Sequence, residues 1–268
     1  MIKQYPLREY VAHLFINTPF EEQAFWLRKI IKRMKFNRRK HPELEKLRRE
    51  LSLTQPVMQR LIQDPMNCID VGAHLGSVLS QILKFSPHGN HIAIEPVPYK
   101  AQWLRKKFPT VEVHQVAVSD APSIANFHYY SHQSGFSGLQ AKKSLDSQNE
   151  IQFTVKCERL DDLIPADKSI DFIKVDIEGN EFNFFRGAQQ TLQRCQPDIL
   201  FECTRSGLIS FKLQPSEIFN FLTQHHYAVF FLEDWLNANK PLDIEQFSNA
   251  IMHYPFQAFN FLATQRAK

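Results

Sequence analysis

The stretch Asp70-Val-Gly-Ala-His-Leu-Gly76 sets two glycines four residues apart around His74, directly after a short apolar run. Glycine at such a place permits backbone angles closed to other residues and lets another group approach the chain closely. In an open α/β sheet, ligands sit beyond the carboxyl ends of the strands, where this loop would lie. The spacing is GxxxG, not the GxGxxG of dinucleotide binders, so a pyrophosphate cradle is poorly supported. Glu95 follows twenty-three residues after Gly72, at the end of the next apolar run. A carboxylate there accepts hydrogen bonds from both hydroxyls of a ribose. Loop and acid together point to an adenosine-containing ligand. They do not separate a nicotinamide cofactor from S-adenosylmethionine.

Such residues need elements to hold them. The runs 67–71, 91–96 and 111–118 read as strands, and 76–85 and 98–108 as helices between them. Strands 171–176, 198–203 and 227–232 alternate with helices 180–194 and 215–225, and 258–264 reads as the last strand. Alternation of this kind implies a parallel sheet with helices on both faces. It is interrupted once. "SIANFHYY" and "IQFTVKC" read as two strands around a polar loop, a hairpin-like excursion inserted in the α/β pattern. Ahead of the alternation, 20–36 carries apolar residues at helical spacing, and 41–53 reads as a second helix with Pro42 in its first turn. The division expected is a basic helical extension over 1–60 and an α/β domain over 61–268.

The chain has 268 residues, 43% of them hydrophobic and 22% charged, as in an ordinary globular protein. No apolar run reaches the ~18–20 residues that span a bilayer. No charged segment leads into an apolar core at the start, so no signal peptide is expected. Four cysteines, Cys68, Cys157, Cys195 and Cys203, lack metal-binding spacing and read as reduced, mostly buried thiols of a cytoplasmic protein. Residues 28–49 hold eleven Lys and Arg against two Glu, within a chain whose net charge is only +4. Such a run is either a solvated helical face or a contact for an anionic surface, peripheral membrane included.

In order, "DVGAHLG", "IAIEP", "VAVSD", "ERLDDL" and "DFIKVDIEGNEFNFFRGA" resemble the FkbM-type S-adenosylmethionine-dependent methyltransferases over roughly residues 67–264. The stretch "KVDIEGNE", followed by Gly187-Ala188, is the most specific part. The resemblance implies a Rossmann-like seven-stranded methyltransferase sheet, S-adenosylmethionine as cofactor, and methylation of a sugar or natural-product hydroxyl. His74 stands where the family usually has Asn. By the same resemblance, Asp70, Gly72, His74 and Gly76 shape the pocket for the methionine part, Glu95 holds the ribose, and Ala117, Val118 and Ser119 carry the adenine.

An alcohol nucleophile has a very high pKa and gains from a base in the transition state. Asp176, at the end of the "FIKV" strand, is the first choice; Glu178 and Glu202 are alternatives. Lys174 shares a strand face with Asp176 and is placed to pair with it. Against this stands the ordinary reading that Asp176 and Glu178 cap the next helix. The three carboxylates are also hard oxygen donors, but nothing in their spacing fixes a coordination geometry and no metal is assigned. His128 and His132, in the excursion, read as surface histidines. The leading expectation is an O-methyltransferase acting on a carbohydrate, glycolipid or related natural product. RNA methylation, suggested by the basic run, and a non-catalytic cofactor-binding partner protein are the alternatives.

Overall fold

The computed structural model describes residues 41–142 and 150–265, with residues 14, 15, 18 and 20 ahead of them. The expected helix at 20–36 and most of the basic run therefore lie outside the described residues. Among the described residues ten strands are formed: β1 (Cys68–Val71), β2 (Ile92–Ile94), β3 (Glu112–His114), β4 (Ala117–Val118), β5 (Ser123–Tyr130), β6 (Glu150–Glu158), β7 (Phe172–Val175), β8 (Asp198–Glu202), β9 (Tyr227–Phe230) and β10 (Asn260–Gln265). Seven of them make one sheet in the order β3-β2-β1-β7-β8-β10-β9. The pairs from β3 to β8 are parallel, and β10 slots in antiparallel between β8 and β9. Strand order reverses beside β1, where β1 pairs with β2 on one side and β7 on the other. A crevice for a ligand belongs at that reversal.

The first helices are α1 (Glu45–Leu51), α2 (Thr54–Leu61), α3 (Ser77–Phe85), α4 (Pro98–Lys107) and α5 (Leu160–Leu163). They are followed by α6 (Glu181–Gly187), α7 (Gln189–Cys195), α8 (Arg205–Phe211), α9 (Pro215–Gln224), α10 (Leu232–Leu236) and α11 (Ile244–Met252). β1 and β7 are buried at every position, Asp70 and Lys174 included, as strands covered on two faces are. One core cluster joins Ile69, Val71, Ile173 and Phe201 to Phe184, Phe185, Leu222 and Phe247 of the helices. On the other face Val57 and Met58 of α2 pack with Cys68, Phe172 and Leu200. Phenylalanines fill much of the interior: Phe201 lies 5.5 Å from Phe185 and 5.9 Å from Phe261, centroid to centroid. The four cysteines are free, three of them buried.

Three expectations are corrected. The strand expected over 111–118 is two strands in two sheets: β3 edges the main sheet, while β4 joins β6 and β5 in a separate three-stranded sheet. The helix expected over 180–194 breaks at Ala188, which leaves helical angles at φ −116° and ψ 7°. Gly187 stands at this break because α6 presses on β4: a Cβ there would lie 2.1 Å from the carbonyl oxygen of Ser119. The helix expected over 41–53 is shorter, with a 3-10 turn at Pro42–Leu44 before α1. The excursion is a true hairpin, since β5 pairs antiparallel with β6 along its whole length.

Candidate active site

β1 ends in Asp70 and Val71, and the chain turns at Gly72 with φ +81°. A Cβ on Gly72 would stand 2.0 Å from the carbonyl oxygen of Asp176. The close approach is thus supplied by the protein itself: the β1 loop is keyed into the β7 loop. Gly76 is likewise crowded by the Phe108 ring. His74 also has positive φ, at 52°, and its amide donates to Glu95 Oε2 at 2.8 Å. The amide of Val97 donates to the other oxygen at 2.9 Å. Glu95 is therefore buried and ties the first loop to the second. Each of its oxygens keeps a further lone pair for a ribose hydroxyl.

Asp70 is buried, and its Oδ2 has no hydrogen-bond partner. Burial pushes its carboxyl up to about 7, against the pull of Lys174 and of the Leu79 amide, with Asp176 and Glu95 adding to the rise. An orphaned buried acceptor fits a cationic donor, and the ammonium of the cofactor's methionine part is one. That fit has a measurable consequence. A cation favours ionised Asp70, so below about pH 7 binding should release a proton and affinity should climb with pH, by at most ~tenfold per unit. Calorimetry of S-adenosylmethionine binding in two buffers of different ionisation enthalpy measures that proton. Asp70→Asn should abolish it, and an unchanged proton count in the variant refutes the contact.

Val175 of β7 pairs with Phe201 of β8, so Asp176 and Glu202 leave the sheet side by side. With Glu178 they form a group whose carboxylate oxygens lie within 4.8 Å of one another. Asp176 is the exposed member, its side chain 46% accessible, with Lys174 Nζ 3.8 Å from Oδ2. The expected Lys174–Asp176 pairing is thus present, although the hydrogen bonds of Lys174 go to Val175 O and Asn260 Oδ1. Burial pushes Glu178 up to about 7, assisted by Asp176 and Glu181 and opposed by Lys142. Burial raises Glu202 well above the carboxylate range, and Asp176, Glu178 and Glu181 raise it further.

Neither Asp176 nor Glu178 caps the helix after β7. That loop is ordered by Glu181, whose Oε1 accepts the amides of Ile177 and Gly179, each at 3.2 Å. Asn180 reaches across to donate to Val118 O at 2.8 Å. This fixes the end of β4, and with it Ala117, Val118 and Ser119, beside the β7 loop. Glu181 and Asn180 were missed as site-building residues. Their signal was present in the "DIEGNE" stretch, where a polar pair follows the glycine.

The hairpin excursion folds back over both loops. Ser134 Oγ lies 2.8 Å from His74 Nε2. Lys142 Nζ donates to Glu178 Oε2, and the ammonium stands 5.4 Å from the Phe136 ring centroid. Phe136 itself is 48% exposed. Sequence reading missed Ser134, Phe136 and Lys142, which lie in a polar loop with no period to mark them. His128 pairs with Glu150 at 2.6 Å within the hairpin, and His132 is exposed. In the described part of the basic run, Lys46 bonds Gln257, Arg48 bonds Glu45, and Arg49 pairs with Glu233.

The glycine loop beside the strand-order reversal, the buried Glu95 that ties it to the second loop, and the acidic cluster at the ends of β7 and β8 stand together at one edge of the sheet. The FkbM methyltransferase domain model matches residues 70–229. The chain belongs to that family and carries a methyltransferase domain whose cofactor is S-adenosylmethionine. No curated protein matches the sequence. Among solved structures, Methyltransferase FkbM from Methylobacillus flagellatus KT is 17% identical with a TM-score of 0.44. That match covers 75% of this chain and 44% of that one, so the chain spans less than half of that relative's length. A TehB-like SAM-dependent methyltransferase from Corynebacterium glutamicum ATCC 13032 Kitasato is 11% identical, with 93% and 100% covered and a TM-score of 0.41. SMU.1697c from Streptococcus mutans, solved in complex with SAH, is 10% identical, with 80% and 95% covered and a TM-score of 0.44. No helix among the described residues is long and apolar enough to cross a membrane.

Proposed function

We propose that the chain transfers a methyl group from S-adenosylmethionine to a hydroxyl of a carbohydrate, glycolipid or related natural product. The observation that supports this reading is the cluster of Glu178, a side chain only 13% exposed, with Asp176 and Glu202, their carboxylate oxygens within 4.8 Å of one another, keyed to the glycine loop through Gly72. The cofactor, when bound, supplies a methyl group on a sulfonium. Asp70 holds its methionine part and Glu95 its ribose. The acceptor hydroxyl gives its proton to Glu178, whose raised pKa makes it the stronger acceptor in Brønsted terms. Asp176, first choice on sequence, is open to solvent and suits orienting the acceptor. Glu202, whose pKa burial and its acidic neighbours raise, completes the cluster beside Asp176. The exposed Phe136 ring beside the cluster offers an apolar face to a sugar ring.

The test is transfer of labelled methyl from S-adenosylmethionine to glycan, glycolipid and RNA fractions. An alkali-stable methyl ether in a glycan or glycolipid is expected. Label confined to RNA, or lost to alkali as an ester, rejects the reading.

The proposal includes a contact between the basic run and an anionic surface. Lys46, Arg48 and Arg49 are engaged within the fold, so this contact falls to the eight cations of 28–40. Reversing the charge of Arg38, Arg39 and Lys40 should weaken binding to anionic vesicles and remove most of its salt dependence. Equal, salt-insensitive binding by both proteins is the contrary result.

A further inference from the structure

We propose that Lys142 is a positioning residue of the methyl-transfer site: the hairpin excursion delivers its ammonium to Glu178, and this contact opposes protonation of Glu178 and places it to take the acceptor's proton. The inference rests on the part given to Glu178 above.

Lys142 is 36 residues from Glu178 in sequence, yet their side chains are only 7% and 13% exposed. Several contacts fix the segment that carries it. The Lys142 amide donates to Tyr130 Oη at 2.8 Å, and the Tyr130 amide donates to Ser137 Oγ at 3.0 Å. His128 and Gly138 exchange backbone hydrogen bonds at 2.8 and 3.1 Å. Gly138 lies over Glu178 so closely that an added Cβ would be 3.4 Å from the Glu178 Cβ. The lysine is therefore held before any acceptor arrives. This distinguishes it from a surface lysine, whose ion pair must first immobilise a long side chain.

The other charged groups acting on Glu178 are carboxylates: Asp176 from the end of β7, Glu181 from α6 and Glu202 from the end of β8. Burial and these like charges all favour a protonated Glu178. A protonated Glu178 has no vacant site for the acceptor's proton. The Lys142 ammonium opposes both, since an opposite charge in hydrogen-bond contact favours the ionised form. With Lys174, which stands 3.8 Å from Asp176, it is one of two fixed positive charges at the acidic cluster among the described residues.

The test uses the full chain with 13C-labelled glutamate carboxyl groups. The Glu178 resonance is identified by its loss in E178Q and followed against pH in wild type, K142M and K142R. K142M should raise the titration midpoint by roughly 1–3 pH units. K142R keeps the charge and should return it most of the way to wild type. If K142M does not fold, K142Q serves as the neutral variant. A midpoint unmoved in the neutral variant, or raised as far by K142R, overturns the proposal. Failure of the base assignment is read separately, from an E178Q that transfers methyl at the wild-type rate.

Discussion

Glu178→Gln should lower single-turnover methyl transfer by roughly 10²–10⁴-fold, the range that a positioned general base contributes. The amide keeps the shape of the side chain and a carbonyl for the Lys142 ammonium, but it takes no proton from the acceptor. The measurement is made with S-adenosylmethionine and the acceptor found by the labelling screen both saturating. The pH profile supplies the sign. Glu178 is held at about 7, so wild-type rate should rise as pH passes that value and level off above it. The variant should lose this limb. Asp176→Asn should cost less, because Asp176 is exposed and a polar amide still orients a hydroxyl. Helix capping does not confuse the comparison, since Glu181 orders the loop. An E178Q enzyme with near wild-type turnover and an intact acid limb would return the base to Asp176, or leave the reaction without a protein base.

The fold was legible in sequence wherever a signal is local. Alternating apolar runs, proline stops and the glycine loop fixed β1, β2, β7, β8 and the helices between them, because strand and helix periods show within a few residues. What was illegible depends on contacts made far along the chain. Nothing local divides 111–118: β4 leaves the main sheet because β6, beginning at residue 150, takes it as a parallel partner. Nothing local ends the helix at Ala188. The break belongs to the packing of Gly187 on Ser119, sixty-eight positions earlier.

The site shows the same division. The positions of Asp70, Glu95 and Asp176 were legible because each lies at or beside the end of a recognisable strand. Lys142 was not, since a lysine in a polar loop is ordinarily a solvated one. Of the basic run, the described end shows what composition leaves open. Its composition suggests an outward-facing surface, yet Lys46 stands over the Phe231 ring and bonds Gln257. Charge counted along a sequence is silent about which cations the fold itself engages.

Glu95→Ala should weaken S-adenosylmethionine binding by about ten- to a hundredfold, the value of roughly 1.5–3 kcal/mol for hydrogen bonds to a charged group. Two effects act together. The ribose loses its acceptor, and the amides of His74 and Val97 lose theirs, which loosens the turns that shape the pocket. The second effect alone predicts a less stable protein, by roughly 1–3 kcal/mol for each buried donor left unpaired. Affinity loss by itself therefore does not prove the ribose contact. The decisive comparison pairs the variant with S-adenosylhomocysteine and its 2′,3′-dideoxy analogue. If Glu95 accepts from the ribose, removing the hydroxyls costs wild type most of that factor and costs the variant little, because the contact is already gone. Equal losses in both proteins would place the ribose elsewhere. Glu95 would then be the residue that joins two loops by their amides, and the adenosine would depend on a pocket it shapes without touching.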